Sequence, residues 1–160
     1  MRLTIGTRGS KLALAQVDII INLLKEIKPE LEVEKKIIKT RGDKIKDTPL
    51  AKIGGKGLFV KEIDEAVLRG DVDFAVHSAK DVPTDLLKGL EIACIPEREE
   101  INDVLISNDK IQLDDLPKAA IIGTSSLRRR AELLNFRGDL QIKNIWGNVD
   151  TRIRKVRQGE

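Results

Sequence analysis

The chain has 160 residues, enough for one ordinary domain or two small ones. With 41% hydrophobic and 34% charged residues it is a soluble globular chain rather than a disordered one, and with aromatics at 2% its core must be built from Ile, Leu, Val and Ala. A formal net charge of +3 is too small to name a nucleic acid as partner, one cysteine excludes an internal disulfide and points to a reducing compartment, and one histidine with one cysteine excludes a usual zinc site. No apolar run reaches the roughly 18 residues of a membrane span. The opening MRLTIGTRGS has no signal-peptide core. A cytoplasmic protein without a metal is expected.

In chain order, Arg2 to Ile5 reads as a strand, Gly6-Thr7-Arg8-Gly9-Ser10 as a turn, and Lys11 to Ile27 as a helix. Val17, Ile20, Leu24 and Ile27 recur at helical spacing, Ser10 is placed to cap, and Pro29 stops the helix. Leu31 to Lys39 is a second strand, completing a βαβ unit. Thr40 to Lys56, TRGDKIKDTPLAKIGGK, has no period and reads as a long functional loop. A helix follows from Leu58 to Arg69, with Phe59, Ile63, Ala66 and Val67 inward and Gly70 ending it. Phe74, Ala75 and Val76 are the apolar run of a buried strand over Asp73 to His77.

Leu90 to Ile95 is a further expected strand, with Cys94 in phase with Leu90 and Ile92 and therefore a buried thiol. The charged break Pro96 to Glu100 marks a domain crossing, giving domains at 1–98 and 99–160. Beyond it come a strand over Asp103 to Ile106, a helical turn at Leu113 to Leu116, strands over Ala119 to Gly123 and Leu140 to Ile145, and helices over Ser126 to Asn135 and Val149 to Arg157. Strands alternate with helices throughout, which predicts an α/β fold whose second domain is incomplete.

Two features carry chemistry. Asp81 follows the buried strand within HSAKDVP, where open α/β sheets bind ligands, and Pro83 keeps the backbone before it extended. A carboxylate there either holds a cation or exchanges a proton, or is a plain turn aspartate. Basic residues also gather at helix starts: Thr7 to Lys11, Gly54 to Gly57, Thr124 to Arg130 and Gly147 to Arg152. A helix N-terminus is already positive, so cations there suit an anion, and their repetition predicts one cleft for a ligand with several carboxylates or phosphates. GGKG lacks the Walker spacing and GTRGS is not the dinucleotide fingerprint, so a nucleotide is the weaker choice. Asp81 among these cations calls for something positive on the ligand, an amine or a developing carbocation.

The motifs GTRGSKLALAQ, TRGD, DTPLAKIGGKGLFVKE, HSAKDVP, GTSSLRRR and GNVDTR, in this order, closely resemble the hydroxymethylbilane synthase (porphobilinogen deaminase) family over essentially the whole chain. The resemblance implies a periplasmic-binding-protein-like pair of α/β domains, with the family's C-terminal domain absent here, in a cytoplasmic monomer. It implies a transferase of tetrapyrrole (haem) biosynthesis that condenses four porphobilinogen units into hydroxymethylbilane, releasing ammonia, on a dipyrromethane cofactor. By resemblance Asp81 is the catalytic carboxylate and Phe59 the pocket aromatic. Arg8, Ser10, Lys52, Lys56, Ser78, Lys80, Thr124, Ser125, Ser126, Arg128, Arg129, Gly147, Asn148 and Arg152 match positions holding the acetate and propionate groups of cofactor and substrate. Cys94 does not match the cysteine that attaches the cofactor, which is not in this chain, and Trp146 stands where the family has arginine. The 160 residues alone are therefore expected to be inactive.

Two other readings compete with the transferase. A non-catalytic polycarboxylate-binding module of periplasmic-binding-protein type gains nothing from Asp81. A nucleic-acid binder using the basic face of Arg152 to Arg157 lacks aromatics for base stacking.

Overall fold

The computed structural model describes residues 1–44 and 57–159. They divide into two compact units, Met1–Ile95 and Pro96–Glu160. Both are mixed α/β with parallel strands.

The first unit runs β1 (Arg2–Thr7), α1 (Lys11–Ile27), β2 (Glu32–Ile37), α2 (Arg41–Lys44), α3 (Lys61–Leu68), β3 (Phe74–Ala75) and a 3-10 turn (Ala79–Asp81). The sheet order is β2-β1-β3, with Arg2 to Thr7 beside Glu32 to Ile37 and Ile5-Gly6 beside Phe74-Ala75. The chain thus leaves central β1 toward one edge and returns to the other, and right-handed crossovers then put α1 and α3 on opposite faces. Side chains agree. A Cβ on Gly6 would meet Ile63 Cγ2 of α3 at 3.0 Å and Val72 Cγ2 at 3.1 Å, so that face of β1 has no room for one. Ile5 points to the other face, and it and Val17 of α1 are fully buried.

Ser10 caps α1, its Oγ accepting from the Ala13 N–H at 3.3 Å. The helix has the expected bounds, yet Ile27 is 84% exposed. Seventeen helical residues extend about 25 Å and six strand residues about 20 Å, so the last turn overhangs the sheet. α3 starts later than expected, after a turn at 57–60, and buries Ile63 and Ala66. It ends on Gly70 at φ +74°, with Asp71 N–H bonded to Ala66 O and Gly70 N–H to Val67 O, the Schellman pairing that a left-handed residue permits. The segment expected to be loop from Thr40 opens instead with the short helix α2; the rest of it, through Lys56, lies outside the described residues.

The second unit contains β4 (Ile121–Gly123), α4 (Leu127–Phe136), β5 (Gln141–Lys143) and α5 (Val149–Arg157). β4 and β5 pair in parallel, Ile122 opposite Ile142. Arg137 closes α4 by donating to the carbonyls of Leu113 at 3.1 Å and Leu116 at 2.8 Å, which holds the turn at 113–115. It also pairs with Asp139 at 2.8 Å.

Asp139 in turn accepts the Ala119 N–H at 2.9 Å, where Ala119 is left-handed at φ +60°. The hydrogen bonds from Arg137 and then from Ala119 bring the Asp139 carboxyl down to about 2. A carboxyl lowered in the folded state stabilises the fold fully above its unfolded pKa of about 3.9, and that contribution is lost as pH falls through the folded value. The Arg137–Asp139 link is therefore expected to persist at pH 4 and to open near pH 2. A carbon-detected NMR titration of Asp139 checks this; a midpoint near 4 would show that Arg137 does not hold it.

Two strand expectations are corrected. Neither Leu90 to Ile95 nor Asp103 to Ile106 forms a strand, and Cys94 is exposed, with Ile92 58%, Ile95 78% and Val104 82% exposed. Alternation says which side chains share a face, but a strand exists only where a neighbour takes up its N–H and C=O groups. Neither sheet pairs with these segments among the described residues.

Candidate functional site

β1 and β3 are adjacent and parallel, so the loops leaving their carboxyl ends emerge side by side. One carries Arg8 and Ser10, the other His77 through Asp81. Arg8, Gln16, Phe59, His77, Ser78 and Asp81 line a common small cavity.

Arg8 is held from two directions. Its guanidinium lies 4.2 Å from the centroid of the Phe59 ring and donates to Asp43, with Nε–Oδ1 at 3.0 Å. Asp43 also accepts from the Thr40 N–H at 3.1 Å and the Thr40 hydroxyl at 2.9 Å. Burial alone would raise the Asp43 carboxyl, but the hydrogen bonds from Arg8 and Thr40 outweigh it and the net shift is downward. Thr40-x-x-Asp43 is a short form of the helix capping box, a sequence signal that would have found this acid.

Ser78 and His77 tie the second loop to two helices. Ser78 Oγ donates to Gln16 Oε1 of α1 at 2.9 Å, and His77 Nε2 lies 3.0 Å from Asp64 Oδ1 of α3. Asp81 closes the 3-10 turn, its N–H bonded to the Ser78 carbonyl at 2.9 Å. Among the described residues no hydrogen bond or ion pair engages its half-buried carboxylate. Lys80 is exposed on the same turn. Ser10 is occupied with capping. Lys52 and Lys56 lie outside the described residues.

In the second unit the same logic applies at β4 and β5. Ser125 Oγ donates to Ile145 O at 2.7 Å and the Thr124 N–H to Lys143 O at 2.9 Å, which draws the two carboxyl-end loops together. Thr124 Oγ1 accepts from the Ser126 N–H, and Ser126 caps α4 through the Arg129 N–H. Gly147 opens the approach to α5 at φ +113°, where a Cβ would lie 2.7 Å from Thr151 Cγ2. Arg152 Nε donates back to its carbonyl at 2.9 Å, and Asn148 is the N-terminal residue of α5 without a side-chain cap bond. The loop residue Trp146 is half-buried.

Arg128 and Arg129 are not free cations. Arg128 pairs with Asp103 and Glu132, each at 2.8 Å, and Arg129 with Asp103 at 2.7 Å. Hydrogen bonds from Arg129 and then Arg128 lower the Asp103 carboxyl. An incoming carboxylate must therefore replace Asp103. Asp103→Asn is expected to strengthen binding of a small dicarboxylate several-fold at low salt, where charges are least screened, because Arg129 loses its Asp103 partner and Arg128 keeps only Glu132. Calorimetry at two ionic strengths measures it, and equal affinity would mean the arginines exchange partners without cost.

The structure thus brings Arg8, Phe59, Ser78 and Asp81 together in one unit, and Thr124, Ser125, Ser126, Gly147, Asn148 and Arg152 in the other, with Arg128 and Arg129 on the first turn of α4. Sequence reading gave no role to Gln16, Asp43, Asp64 or Asp103. A separate depression lined by Leu105, Ile106, Ile111 and Leu113 has Lys110 as the single charged residue of its lining, too little for a polyanion. Among the described residues no group of three His, Cys, Asp or Glu side chains is placed to hold a metal, and no helix is long and apolar enough to cross a membrane.

Comparison with known proteins shows the family. A family model described as porphobilinogen deaminase, dipyromethane cofactor binding domain, matches residues 3–160. The chain is similar to the porphobilinogen deaminase of Maridesulfovibrio salexigens, 57% identical over 99% of this chain and 52% of the relative. It is also similar to that of Nitratiruptor sp., 58% identical over 100% and 51% respectively. A third relative, from Bacillus subtilis, is 55% identical over 95% and 48%. The chain spans about half the length of the curated relatives it matches.

Proposed function

The chain belongs to the porphobilinogen deaminase family, and we propose on that footing that it is the part of a tetrapyrrole-forming transferase that binds porphobilinogen and assists loss of its amine. The polypeptide carrying it would condense four porphobilinogen units into hydroxymethylbilane in the cytoplasm, as a monomer with a periplasmic-binding-protein-like pair of α/β domains at 1–98 and 99–160. The observation that carries the proposal is the Asp81 carboxylate, without a partner among the described residues, in a cavity shared with Arg8, Phe59 and Ser78.

The substrate bears two carboxylates and an amine. Arg8, in the same unit as Asp81, suits a carboxylate. Asp81 suits the ammonium before reaction and the positive charge that develops on the methylene carbon as ammonia leaves. A plain anion binder would be weakened by that carboxylate.

Dipyrromethane fits the same donors, since it presents carboxylates to cations and hydroxyls and pyrrole N–H groups to a carboxylate. When bound, it supplies the primer from which the product grows. In the first unit Asp81 would accept from its ring N–H groups; in the second, Thr124, Ser125, Ser126, Asn148 and Arg152 are groups that suit a carboxylate. The exposed Cys94 does not match the family's attachment cysteine. We propose accordingly that the 160 residues alone carry no covalent dipyrrole and show little or no turnover, which intact mass and an ammonia assay measure. The functional reading itself is tested by ammonia release from porphobilinogen in a complete polypeptide carrying this sequence. No release there sinks it.

A further inference from the structure

We propose that His77 and Asp64 form a positioning pair for Asp81, an inference that rests on the functional reading above. Three observations carry it. The Asp81 carboxylate has no side-chain or backbone donor among the described residues, so its aim is set by the peptide that bears it. That peptide springs from His77 and Ser78, and the two are anchored on opposite faces of the sheet, His77 to Asp64 on α3 and Ser78 to Gln16 on α1. Asp64 itself is an acid on the core-facing side of its helix, 8% exposed beside the buried Ile63 and Ala66.

Energetics explain why such a pair points to geometry. Burying a carboxylate costs solvation, and a buried polar pair typically stabilises no better than apolar side chains of the same volume. What it adds is direction. A hydrogen bond at 3.0 Å between side chains that are 15% and 12% exposed holds the ring and its backbone at one distance from α3, where an apolar contact would let them slide. A carboxylate oxygen accepts, so the tautomer that makes this bond is the one with its proton on His77 Nε2. With the residue at 77 fixed, the turn that ends at Asp81 starts from a fixed place.

The test uses three variants. His77→Ala removes the tether. His77→Gln keeps an N–H able to reach Asp64. Asp64→Ala removes the acceptor. Misplacing a reacting group by about 1 Å costs up to roughly a hundredfold. In the complete polypeptide, single-turnover ammonia release is therefore expected to fall about 10- to 100-fold in His77→Ala and in Asp64→Ala, with substrate affinity within about threefold. The double variant is expected to be no worse than either single change, and His77→Gln to recover most of the rate.

Two readouts do not depend on turnover. Exchange of the Asp81 N–H, bonded to Ser78 O, is expected to accelerate about tenfold or more in His77→Ala and not in His77→Gln, while the Leu14 N–H in α1 is unchanged. The His77 ring signals, identified by their loss in His77→Gln, should show the proton on Nε2. An inactive unsubstituted polypeptide would remove the functional reading and leave these two to judge the pair. A wild-type rate in His77→Ala, a His77→Gln as impaired as His77→Ala, or unchanged Asp81 exchange overturns the proposal. Should His77→Ala fail to fold, the comparison of His77→Gln with Asp64→Ala decides.

Discussion

Asp81→Asn, in a complete polypeptide carrying this sequence, is expected to slow single-turnover ammonia release about a hundred- to a thousandfold while leaving porphobilinogen affinity unchanged or slightly improved. The substitution keeps the shape of the side chain and removes its charge. On the proposed reaction Asp81 would attract the substrate's ammonium and repel its carboxylates before reaction, effects that offset each other in binding, whereas the cation that develops as ammonia leaves would be attracted more strongly. An interaction stronger along the reaction path than in the bound ground state acts on turnover and not on affinity. The site favours a large effect because the Asp81 carboxylate is half-buried and has no competing donor among the described residues. Asp81→Glu should retain part of the rate, since the charge survives one methylene away. Single-turnover kinetics with an equilibrium affinity separates the cases. Weak binding with normal saturated turnover would make Asp81 a positioning residue.

The second large effect is expected from a glycine. A Cβ on Gly42 would lie 2.2 Å from Phe59 Cε1 and 2.3 Å from Cδ1, far inside contact distance. Neither partner is free to yield. Gly42 N–H is bonded to Leu58 O at 2.9 Å, and the Phe59 ring is stacked under Arg8. Gly42→Ala therefore displaces the ring, loosening Arg8, or pries α2 from the start of α3. Overpacking of this kind costs about 1–3 kcal/mol. At roughly 4–8 °C per kcal/mol for a unit of this size, the melting temperature of the first unit should fall by roughly 5–20 °C. The control is Gly70→Ala, where φ is +74° but no atom lies within 4 Å, so only the backbone cost of about 1 kcal/mol applies. Circular dichroism melts of both variants compare the two. Equal, small shifts would mean that the Phe59 ring moves aside freely and that Arg8 is not held by it.

Much of the scaffold was legible because it is written in local chemistry. The bounds of α1 follow from helical spacing, the Ser10 hydroxyl and Pro29. The end of α3 follows from Gly70, and the placement of Asp81 just beyond β3 follows from an apolar run ending in polar residues. Caps, left-handed glycines and periodicity act within a few residues, so a sequence displays them directly.

What tertiary structure alone decided was which of these residues have partners. Arg8 and Asp43 are 35 positions apart, His77 and Asp64 13, and Arg129 and Asp103 26. A basic residue at a helix start looks the same in sequence whether it waits for a ligand or is already paired. Cys94 makes the point from the apolar side. Its phase with Leu90 and Ile92 is real, yet the thiol is exposed, because burial needs a second surface and no neighbouring strand lies there among the described residues. Local pattern determined the elements and the face each residue lies on. The path of the chain through space determined which faces are covered and which charges are matched, because those contacts depend on chain order in the sheet and not on any short stretch of sequence.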